Sequence, residues 1–279
     1  MDKMIEKTAG KTLVLGGTGK TGSRIVQRLT ERGWPLRIGS RSAKPGFDWE
    51  NRATWKTALE GMDSVYIAFQ PDLAVPGAVE TIRSFVEIAV KTGVRKLVLL
   101  SGRGEPEAEE CERVVMGSGT DWTILRASWF NQNFNEGYLL EPLQSGYVAL
   151  PVGAIGEPFI DVEDIADVAV AALTEEGHTG QLYELTGPRL LTFEEAVTEI
   201  AAATGRPIHY ESIPMADYAS MLVEYDVPEE FVGLLRYLFT EVLDGRNASV
   251  ADGVERALGR KPTDFSEYIR RTAATGVWD

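Results

Sequence analysis

The chain has 279 residues, of which 44% are hydrophobic and 25% are charged, a composition typical of a folded globular protein. It has 28 lysine and arginine residues and 42 aspartate and glutamate residues, which gives a formal net charge of −14. This charge argues against nucleic acid or an anionic membrane as a partner, because binding to phosphate needs a positive surface. A single cysteine and two histidines are too few for a typical metal site, so we expect no metal.

No apolar stretch approaches the roughly 18–20 residues that a helix needs to cross a bilayer. The N-terminal segment is polar and lacks the apolar core of a signal peptide. We therefore expect a cytoplasmic protein.

The first half of the chain alternates short apolar runs with helical patterns. The predicted strands are Thr12–Leu15, Leu36–Gly39, Ser64–Phe69, Lys96–Leu100 and Thr123–Leu125. The predicted helices are Lys20–Arg32, a segment between Pro76 and Gly93, and Glu107–Met116. Regular alternation of strand and helix predicts an α/β fold with a Rossmann-like, doubly wound parallel sheet.

The pattern changes after residue 150. We predict a helix at Asp161–Leu173, a strand at Leu182–Leu185 and a helix at Thr192–Ala203, which Thr192 and Glu195 begin with a capping box. The remainder is mostly helical. We therefore predict an NAD(P)-binding Rossmann-like core in residues 1–150, with residues 151–279 supplying its closing strands and helices plus a smaller, mostly helical C-terminal substrate lobe.

Three glycines separate the first predicted strand from the first helix. Gly16, Gly19 and Gly22 give the permissive backbone that lets a pyrophosphate approach N–H groups at a helix N-terminus. The predicted cofactor contacts of this loop are Gly16, Thr18, Gly19, Lys20, Thr21 and Gly22. A purely structural turn is the alternative. A nucleotide-binding P-loop is excluded, because that motif needs glycine where the chain has Val14.

The residues after the second strand indicate which dinucleotide is bound. NAD-binding folds place a carboxylate there to bind the ribose hydroxyls, whereas this chain has Ser40, Arg41 and Ser42. Arg41 can bind a 2′-phosphate and the two serines can donate hydrogen bonds to it, so we expect NADP(H) to be preferred over NAD(H). The alternative is that Arg41 is only a surface charge. We place Asp48 near the adenine edge and expect Trp49 to pack.

Several segments together resemble a known family. They are the glycine loop, the Ser40–Ser42 element and residues 96–104, 121–134 and 159–173. Over about residues 11–275 the chain resembles the NmrA-like branch of the atypical short-chain dehydrogenase/reductase superfamily. Within that branch it is similar to NAD(P)H:quinone reductases and to ergot-alkaloid iminium reductases. The branch also contains catalytically silent dinucleotide sensors that bind a transcription factor.

The sequence lacks the usual acid of short-chain dehydrogenases, a tyrosine followed by lysine four residues later. None of the nine tyrosines has such a lysine, and no lysine occurs between Lys96 and Lys261. A general acid typically contributes about 10²–10⁴-fold, so simple ketones should be poor substrates. An iminium ion or a quinone is already activated and needs less help.

The resemblance implies where the remaining site residues lie. Ala68, Phe69 and Gln70 should line the cofactor. Ser101 falls where the superfamily places its catalytic serine, so it is expected to hydrogen-bond a substrate oxygen or, as a cofactor contact, the nicotinamide carboxamide. The implied substrate pocket comprises Gln70, Arg103, Trp129, Phe130 and Asn133. Two alternatives stay open: Ser101 as a turn-forming residue, and Trp129 with Phe130 as part of the core.

Four smaller features have structural interpretations. The glutamates Glu105, Glu107, Glu109, Glu110 and Glu112 are expected to form a solvated helix face. We expect His178 in a loop, His209 as a structural residue of a strand, and Cys111 as a buried, inert thiol.

Two functions compete. The first is an NADPH-dependent reductase that transfers hydride to an activated aromatic or apolar small molecule, a quinone or an iminium ion, without the Tyr/Lys pair. The second is a non-catalytic NADP(H) sensor that acts through a protein partner. An epimerase or dehydratase of sugar nucleotides is disfavoured, because those reactions rely on the absent tyrosine. We expect a monomer or a homodimer.

Overall fold

The computed structural model describes residues 10–279. The expectation about a signal peptide concerns a segment that lies mostly outside these residues. The strands, in chain order, are β1 (Thr12–Leu15), β2 (Leu36–Gly39), β3 (Ser64–Ile67), β4 (Lys96–Gly102), β5 (Asp121–Ala127), β6 (Tyr147–Leu150), β7 (Gln181–Leu185) and β8 (His209–Ser212). All the strands predicted from the sequence are present, and their ends differ from the predicted ones by two residues at most.

The helices alternate with these strands. They are α1 (Lys20–Glu31), α2 (Ala53–Leu59), α3 (Ala78–Lys91), α4 (Pro106–Met116), α5 (Leu140–Ser145), α6 (Val162–Thr174), α7 (Phe193–Thr204), α8 (Met215–Glu224), α9 (Glu229–Tyr237), α10 (Gly253–Leu258) and α11 (Phe265–Ala273). A 3₁₀ turn at Asn131–Phe134 follows β5, and a π-helical turn at Leu238–Val242 extends α9.

The central sheet has six strands in the order β2-β1-β3-β4-β5-β7, and β6 pairs with β8 in a separate parallel ribbon. Strand β1 runs parallel to both its neighbours, with Thr12 opposite Leu36 on one side and Ser64 on the other. The strand order reverses between β1 and β3. Such a reversal is where open α/β sheets bind ligands, beyond the carboxyl ends of the strands. The predicted Rossmann-like class is confirmed.

The sequence of β1 explains its central position. All four side chains of Thr12–Leu15 are buried, as expected for a parallel strand covered by helices on both faces. Thr12 is the polar member, and its hydroxyl pairs with that of Ser64 at 2.8 Å. The buried polar atoms of this strand pair are thereby satisfied.

The residues 10–279 divide into two compact units, neither of which is continuous in sequence. Unit 1 comprises the chain up to residue 100 with residues 110–124 and 166–181, and unit 2 comprises residues 101–109, 125–165 and 182–279. The division predicted at residue 150 falls inside unit 2. The chain leaves and re-enters each unit within single strands and helices, so no linker marks a boundary.

Each unit has its own aromatic core. In unit 1, Trp55 and Phe85 are completely buried and their ring centroids lie 5.8 Å apart. In unit 2, Phe193 lies against Phe159 at 5.0 Å within a large apolar cluster. The capping box predicted for α7 is present, since Thr192 accepts from the Glu195 N–H at 3.1 Å and Glu195 accepts from the Thr192 N–H at 2.8 Å.

The acidic segment around α4 is not the solvated face that its charge suggests. Glu105 and Glu112 are buried, whereas Glu110 is exposed. Tertiary packing therefore overrides the charge pattern here. Cys111 is completely buried as expected, and burial raises the pKa of its thiol to about 12.

No helix in the described part of the chain is long and apolar enough to span a bilayer. His178 lies in a loop as predicted, is buried, and has a pKa lowered by that burial. His209 begins β8 and stacks on Tyr147 with ring centroids 5.7 Å apart, which fits the structural role expected of it.

Candidate functional site

The glycine loop joins β1 to α1 in unit 1. Gly16 adopts a left-handed backbone with φ of 64°, which glycine tolerates without strain. The Gly19 N–H then donates to the Gly16 carbonyl at 2.8 Å and closes a tight turn. Helix α1 begins immediately afterwards with Gly19 as its N-cap and no capping side chain. The N–H groups of its first turn are therefore available to an anion.

Glycine is needed in this loop where another part of the backbone comes too close to leave room for a side chain. A Cβ atom at Gly22 would lie 2.1 Å from the Gly16 carbonyl oxygen, so α1 could not pack against the loop. At Gly19 the same atom would lie 3.3 Å from that oxygen, a tight but attainable contact. Gly22 is thus required for the fold, whereas a methyl group at Gly19 would be accommodated by a small shift of its neighbours.

Two residues that follow β3 lie beside this loop. A Cβ atom at Gly16 would contact the Ala68 side chain at 3.3 Å, and one at Gly19 would lie 3.9 Å from Gln70 Nε2. The structure therefore brings these two predicted cofactor residues next to the glycines. Phe69 packs its ring on Trp49 at 4.9 Å instead.

Thr21 contributes a structural contact rather than a free hydroxyl. The Tyr66 hydroxyl donates to Thr21 Oγ1 at 2.9 Å, and both side chains are buried. Burial raises the pKa of Tyr66 well above its ordinary value. This pair attaches α1 to β3, so the predicted cofactor contact of Thr21 is left to its backbone. The exposed Thr18 and the half-buried Lys20 flank the same turn.

The loop after β2 presents cationic side chains. Arg41 and Lys44 are exposed, and neither side chain has a partner within residues 10–279. The Ser40 and Ser42 hydroxyls lie 3.3 Å apart on either side of Arg41. The Ser40 carbonyl accepts from the Phe47 N–H at 2.9 Å, which fixes the shape of the loop. This arrangement can hold a phosphate monoester through charge and hydroxyl donors.

The next residues stiffen that loop. Asp48 Oδ1 accepts from the Glu50 N–H at 3.1 Å, so a part of this carboxylate serves the loop itself. Trp49 packs edge-on against Phe47 at 4.9 Å and its indole donates to the Ala68 carbonyl at 3.3 Å. The packing role expected of Trp49 is confirmed.

In unit 2, β4 ends in a compact turn. Ser101 is 4% exposed, and at Gly102 a Cβ atom would lie 2.1 Å from a carboxylate oxygen of Glu105. The Glu105 carboxylate therefore folds back over Gly102, and a side chain at that position would have to displace it. The hydroxyl of Ser101 remains a prediction as a substrate contact.

Arg103 is a buried anchor of unit 2. Nη1 donates to the Asn247 and Ser249 carbonyls at 2.9 and 2.7 Å, Nη2 to Ser249 Oγ at 2.9 Å, and Nε to Glu184 at 3.3 Å. These bonds use four of the five N–H groups of the guanidinium. Asn247 returns a bond to the Arg103 carbonyl at 2.9 Å. Arg103, which was predicted to line the substrate pocket, thus has a structural role.

The segment after β5 forms an aromatic wall. The Trp129 ring lies 5.7 Å from Phe193 and 5.5 Å from Phe239; the two phenylalanines belong to the unit 2 core, and Trp129 packs against it. Phe130 forms an isolated parallel bridge with Ile160, and the Asn133 N–H donates to the Phe130 carbonyl at 3.1 Å. Trp129 and Phe130 are partly exposed, and their place in the substrate pocket remains a prediction.

Three buried polar groups near this wall lack well-formed hydrogen bonds within residues 10–279. They are the Trp129 indole N–H, the Tyr138 hydroxyl and both amide atoms of Asn131. Burial raises the pKa of Tyr138 well above its ordinary value, and the adjacent Trp129 N–H opposes that shift only in part. Buried polar groups are normally paired, so such a cluster indicates a place for water or a ligand. The sequence analysis included Trp129 and missed the other two residues.

The carboxylate of Glu157 is the second feature that the sequence analysis missed. Glu157 is 3% exposed, and the Trp129 backbone N–H donates to its Oε1 at 3.2 Å. Burial raises its pKa to about 7, although the Trp129 N–H and the Arg103 charge oppose the shift. A glutamate directly before the apolar run at residues 158–160 was the available signal.

The comparisons with known proteins bear on this geometry. A family model described as NAD(P)H-binding matches residues 16–176, which include the glycine loop and the strands that follow it. The chain belongs to the NAD(P)H-binding family. The matched segment covers both the turn between β1 and α1 and the loop after β2.

Several curated relatives match this chain over nearly its whole length. The chain is 30% identical to an NAD(P)H azoreductase of Xenophilus azovorans, with 94% of this chain and 98% of the relative covered. It is 29% identical to an agroclavine dehydrogenase of Claviceps fusiformis, covering 92% and 95%. A prestalk A differentiation protein A of Dictyostelium discoideum is 28% identical, covering 98% and 95%.

Solved structures agree on the fold. An NADPH-dependent quinone oxidoreductase of Escherichia coli superposes with a TM-score of 0.79 at 20% identity, covering 94% of this chain and 99% of that one. An NmrA variant superposes with a TM-score of 0.70 at 16% identity, covering 97% of both chains. The chain is thus an NAD(P)H-dependent oxidoreductase, the class for which its relatives are named, and the two superpositions show that it shares their fold.

Proposed function

We propose that this oxidoreductase is an NADPH-dependent reductase that transfers hydride to an activated, mostly apolar acceptor such as a quinone or an iminium ion. The observation that carries the proposal is the cofactor cradle of unit 1, where the uncapped first turn of α1 follows a glycine loop that has no room for side chains at Gly22. Pyrophosphate binding at such a turn uses backbone N–H groups and the helix dipole.

Each predicted cofactor residue has a task in this proposal. Backbone N–H groups of the loop and first turn bind the pyrophosphate, with Gln70 beside them. Arg41 binds the 2′-phosphate, and the hydroxyls of Ser40 and Ser42 donate to the same group. The bound cofactor supplies the hydride. The preference for NADPH over NADH then rests on the charge of Arg41.

Acceptor binding is assigned to unit 2. Trp129 and Phe130 provide an aromatic surface that suits a planar molecule, and Ser101 and Asn133 supply polar contacts. The choice of an activated acceptor is supported by the missing Tyr/Lys pair of the sequence. Support also comes from the azoreductase and the clavine dehydrogenase, since both relatives are named for reactions of this redox class.

Consumption of NADPH by the purified protein tests the proposal. We expect turnover with at least one member of a panel of quinones and cyclic iminium ions, and loss of turnover in Gly19→Ala. No consumption across the panel, with tight NADP(H) binding retained, contradicts the reductase. That result favours the second candidate, a redox sensor, which the similarity to a differentiation protein supports.

A further inference from the structure

Glu157 occupies an unusual position for a carboxylate. It lies in the segment between β6 and α6, and its backbone N–H and carbonyl exchange hydrogen bonds with Leu191 at 2.8 and 3.0 Å. Its side chain points inward and is 3% exposed. Within the described part of the chain, the Trp129 N–H is the one group that donates to this carboxylate, at 3.2 Å.

Ordinary structural carboxylates in this protein are treated differently. Asp161 is also completely buried, but it accepts from Gln132 at 2.8 Å, from the Glu163 N–H at 2.9 Å, and forms an ion pair with Arg271. Those bonds compensate for the loss of hydration. Glu157 has one such bond and no ion pair among residues 10–279, so its burial favours the neutral carboxylic acid.

The surrounding charges do not hold Glu157 ionised. The charged group that faces it in unit 2 is Arg103, while the flanking residues Trp129 and Leu191 are uncharged. Arg103 is itself paired with Glu184 at 3.3 Å, and Glu184 also pairs with Arg126 at 3.3 Å. Because its charge is shared within this group, Arg103 opposes the burial effect only in part. The pKa of Glu157 therefore stays near 7.

The neighbours of Glu157 indicate a ligand. The residue that donates to it, Trp129, has a buried indole N–H that meets the Tyr138 hydroxyl without a well-formed hydrogen bond, and both amide atoms of Asn131, two residues further along, have no partner within residues 10–279. The Trp129 ring belongs to the aromatic wall with Phe193 and Phe239. A protonated carboxyl beside an aromatic surface with unsatisfied donors suits a planar acceptor that carries an oxygen or nitrogen atom to be protonated.

We propose that Glu157 is the proton donor of the reductase and supplies the acid function that other short-chain dehydrogenases obtain from the Tyr/Lys pair. This inference rests on the proposed function. The acceptor takes a hydride from the reduced cofactor, which is oxidised to NADP⁺, and its basic oxygen or nitrogen forms a bond to the carboxyl proton. The O–H bond of Glu157 breaks, and the carboxylate regains a proton from water.

The proposal specifies the acceptor class. A quinone oxygen or an imine nitrogen becomes strongly basic as hydride arrives, so a positioned acid accelerates its reduction by about 10²–10⁴-fold. An N-alkylated iminium ion has no site to protonate, and its reduction gains nothing from Glu157. The rate with the iminium ion therefore depends on hydride transfer alone, whereas the rate with the quinone depends on hydride transfer and on proton donation.

The test compares wild type with Glu157→Gln on a quinone and on an N-alkylated cyclic iminium ion between pH 5 and 9. For wild type, kcat/KM with the quinone should fall as pH rises through about 7, since the acid must be protonated. The variant should be slower by roughly 100-fold at pH 6 and should lose this limb of the profile. At pH 5–6, where Glu157 is protonated and uncharged, its rate with the iminium ion should equal that of wild type.

Glu112→Gln is the matched control, because Glu112 is a buried glutamate of unit 1 and has no part in the proposal. It should leave both the rate and the pH profile unchanged. If Glu157→Gln does not fold, Glu157→Asp takes its place and should show a lower quinone rate with the acid limb retained.

The outcomes separate the two proposals. A reductase whose quinone rate and pH profile survive Glu157→Gln overturns the proton donor and leaves the proposed function standing. If Glu157→Gln loses equal activity with the quinone and with the iminium ion, or if only its KM rises, Glu157 has a structural role. Either result also overturns its assignment as proton donor. A wild type that reduces no acceptor overturns the proposed function and the inference with it.

Discussion

Arg37 and Arg41 lie four residues apart, yet their side chains meet different surroundings. Nη1 of Arg37 donates to the carbonyls of Thr57, Ala58 and Glu60 at 3.2, 2.7 and 3.1 Å, which fixes the end of α2. Arg41 is exposed, and no described residue pairs with it. Arg41 is therefore the arginine that can bind a phosphate without breaking an existing contact.

Changing Arg41 to alanine should erase the cofactor preference. Charge-assisted hydrogen bonds contribute about 1.5–3 kcal/mol, so KM for NADPH should rise roughly 10–100-fold while KM for NADH stays the same. Steady-state kinetics with both cofactors measure the effect. Arg236→Ala removes an exposed charge from α9 and should change neither value. A variant that still prefers NADPH would show that Arg41 is only a surface charge.

The raised pKa of Glu157 should also make the free energy of unfolding depend on pH. Its pKa in the folded protein, about 7, lies above the ordinary value of 4.5. The carboxyl is therefore accommodated without penalty below pH 4.5, and stability is lost as pH rises from there to about 7. Glu157→Gln has no charge to bury, so it should be more stable than wild type by about 3 kcal/mol at pH 8 and by much less at pH 5.

Urea unfolding of both proteins at the two pH values measures this difference. It needs no acceptor or cofactor, and so it is independent of the catalytic test. A stability difference between the two proteins that is the same at pH 5 and pH 8 would contradict a raised pKa for Glu157.

At the scale of elements, the junction of β1 and α1 combines a structural and a binding requirement. Gly22 has no room for a side chain, whereas Gly19 has the ordinary extended backbone angles of −86° and −177° and tolerates a methyl group. Gly22 is therefore needed for folding and Gly19 for binding, although both belong to one motif.

Gly19→Ala should weaken NADPH binding at least tenfold, because its methyl group occupies the approach to the first turn of α1. Its melting temperature should stay close to that of wild type. Gly22→Ala should fail to fold stably, since its methyl group would lie 2.1 Å from the Gly16 carbonyl oxygen. Isothermal titration and thermal melts test both variants. Wild-type affinity in Gly19→Ala would refute the placement of the pyrophosphate.

The strands and long helices were predictable because their apolar residues recur with a clear period. The glycine loop and the capping box of Thr192 were predictable because local backbone chemistry determines them. Helix α2 was missed, since its seven residues are too few for a clear periodicity. The burial of Glu157 was not predicted, because the groups that face it, Trp129 and Arg103, are distant in sequence.

At the scale of the whole molecule, the two units do not follow a single division along the chain. Unit 1 ends within β4 and resumes within α4, so composition along the chain carries no sign of the change. Unit 1 contains the glycine loop and the cationic loop after β2, and unit 2 contains the aromatic wall and Glu157. We propose that cofactor recognition belongs to the first unit and acceptor recognition with proton donation to the second.

The central claim is that the bound cofactor gives its hydride to an activated acceptor. A single-turnover experiment tests it most directly: protein preloaded with one equivalent of NADPH is mixed rapidly with a quinone, and oxidation of the bound cofactor is followed. We predict rapid oxidation with one equivalent of hydroquinone formed, and much slower oxidation when acceptor and NADPH are mixed without protein. Bound NADPH that stays reduced in the presence of each quinone and iminium ion would contradict the account.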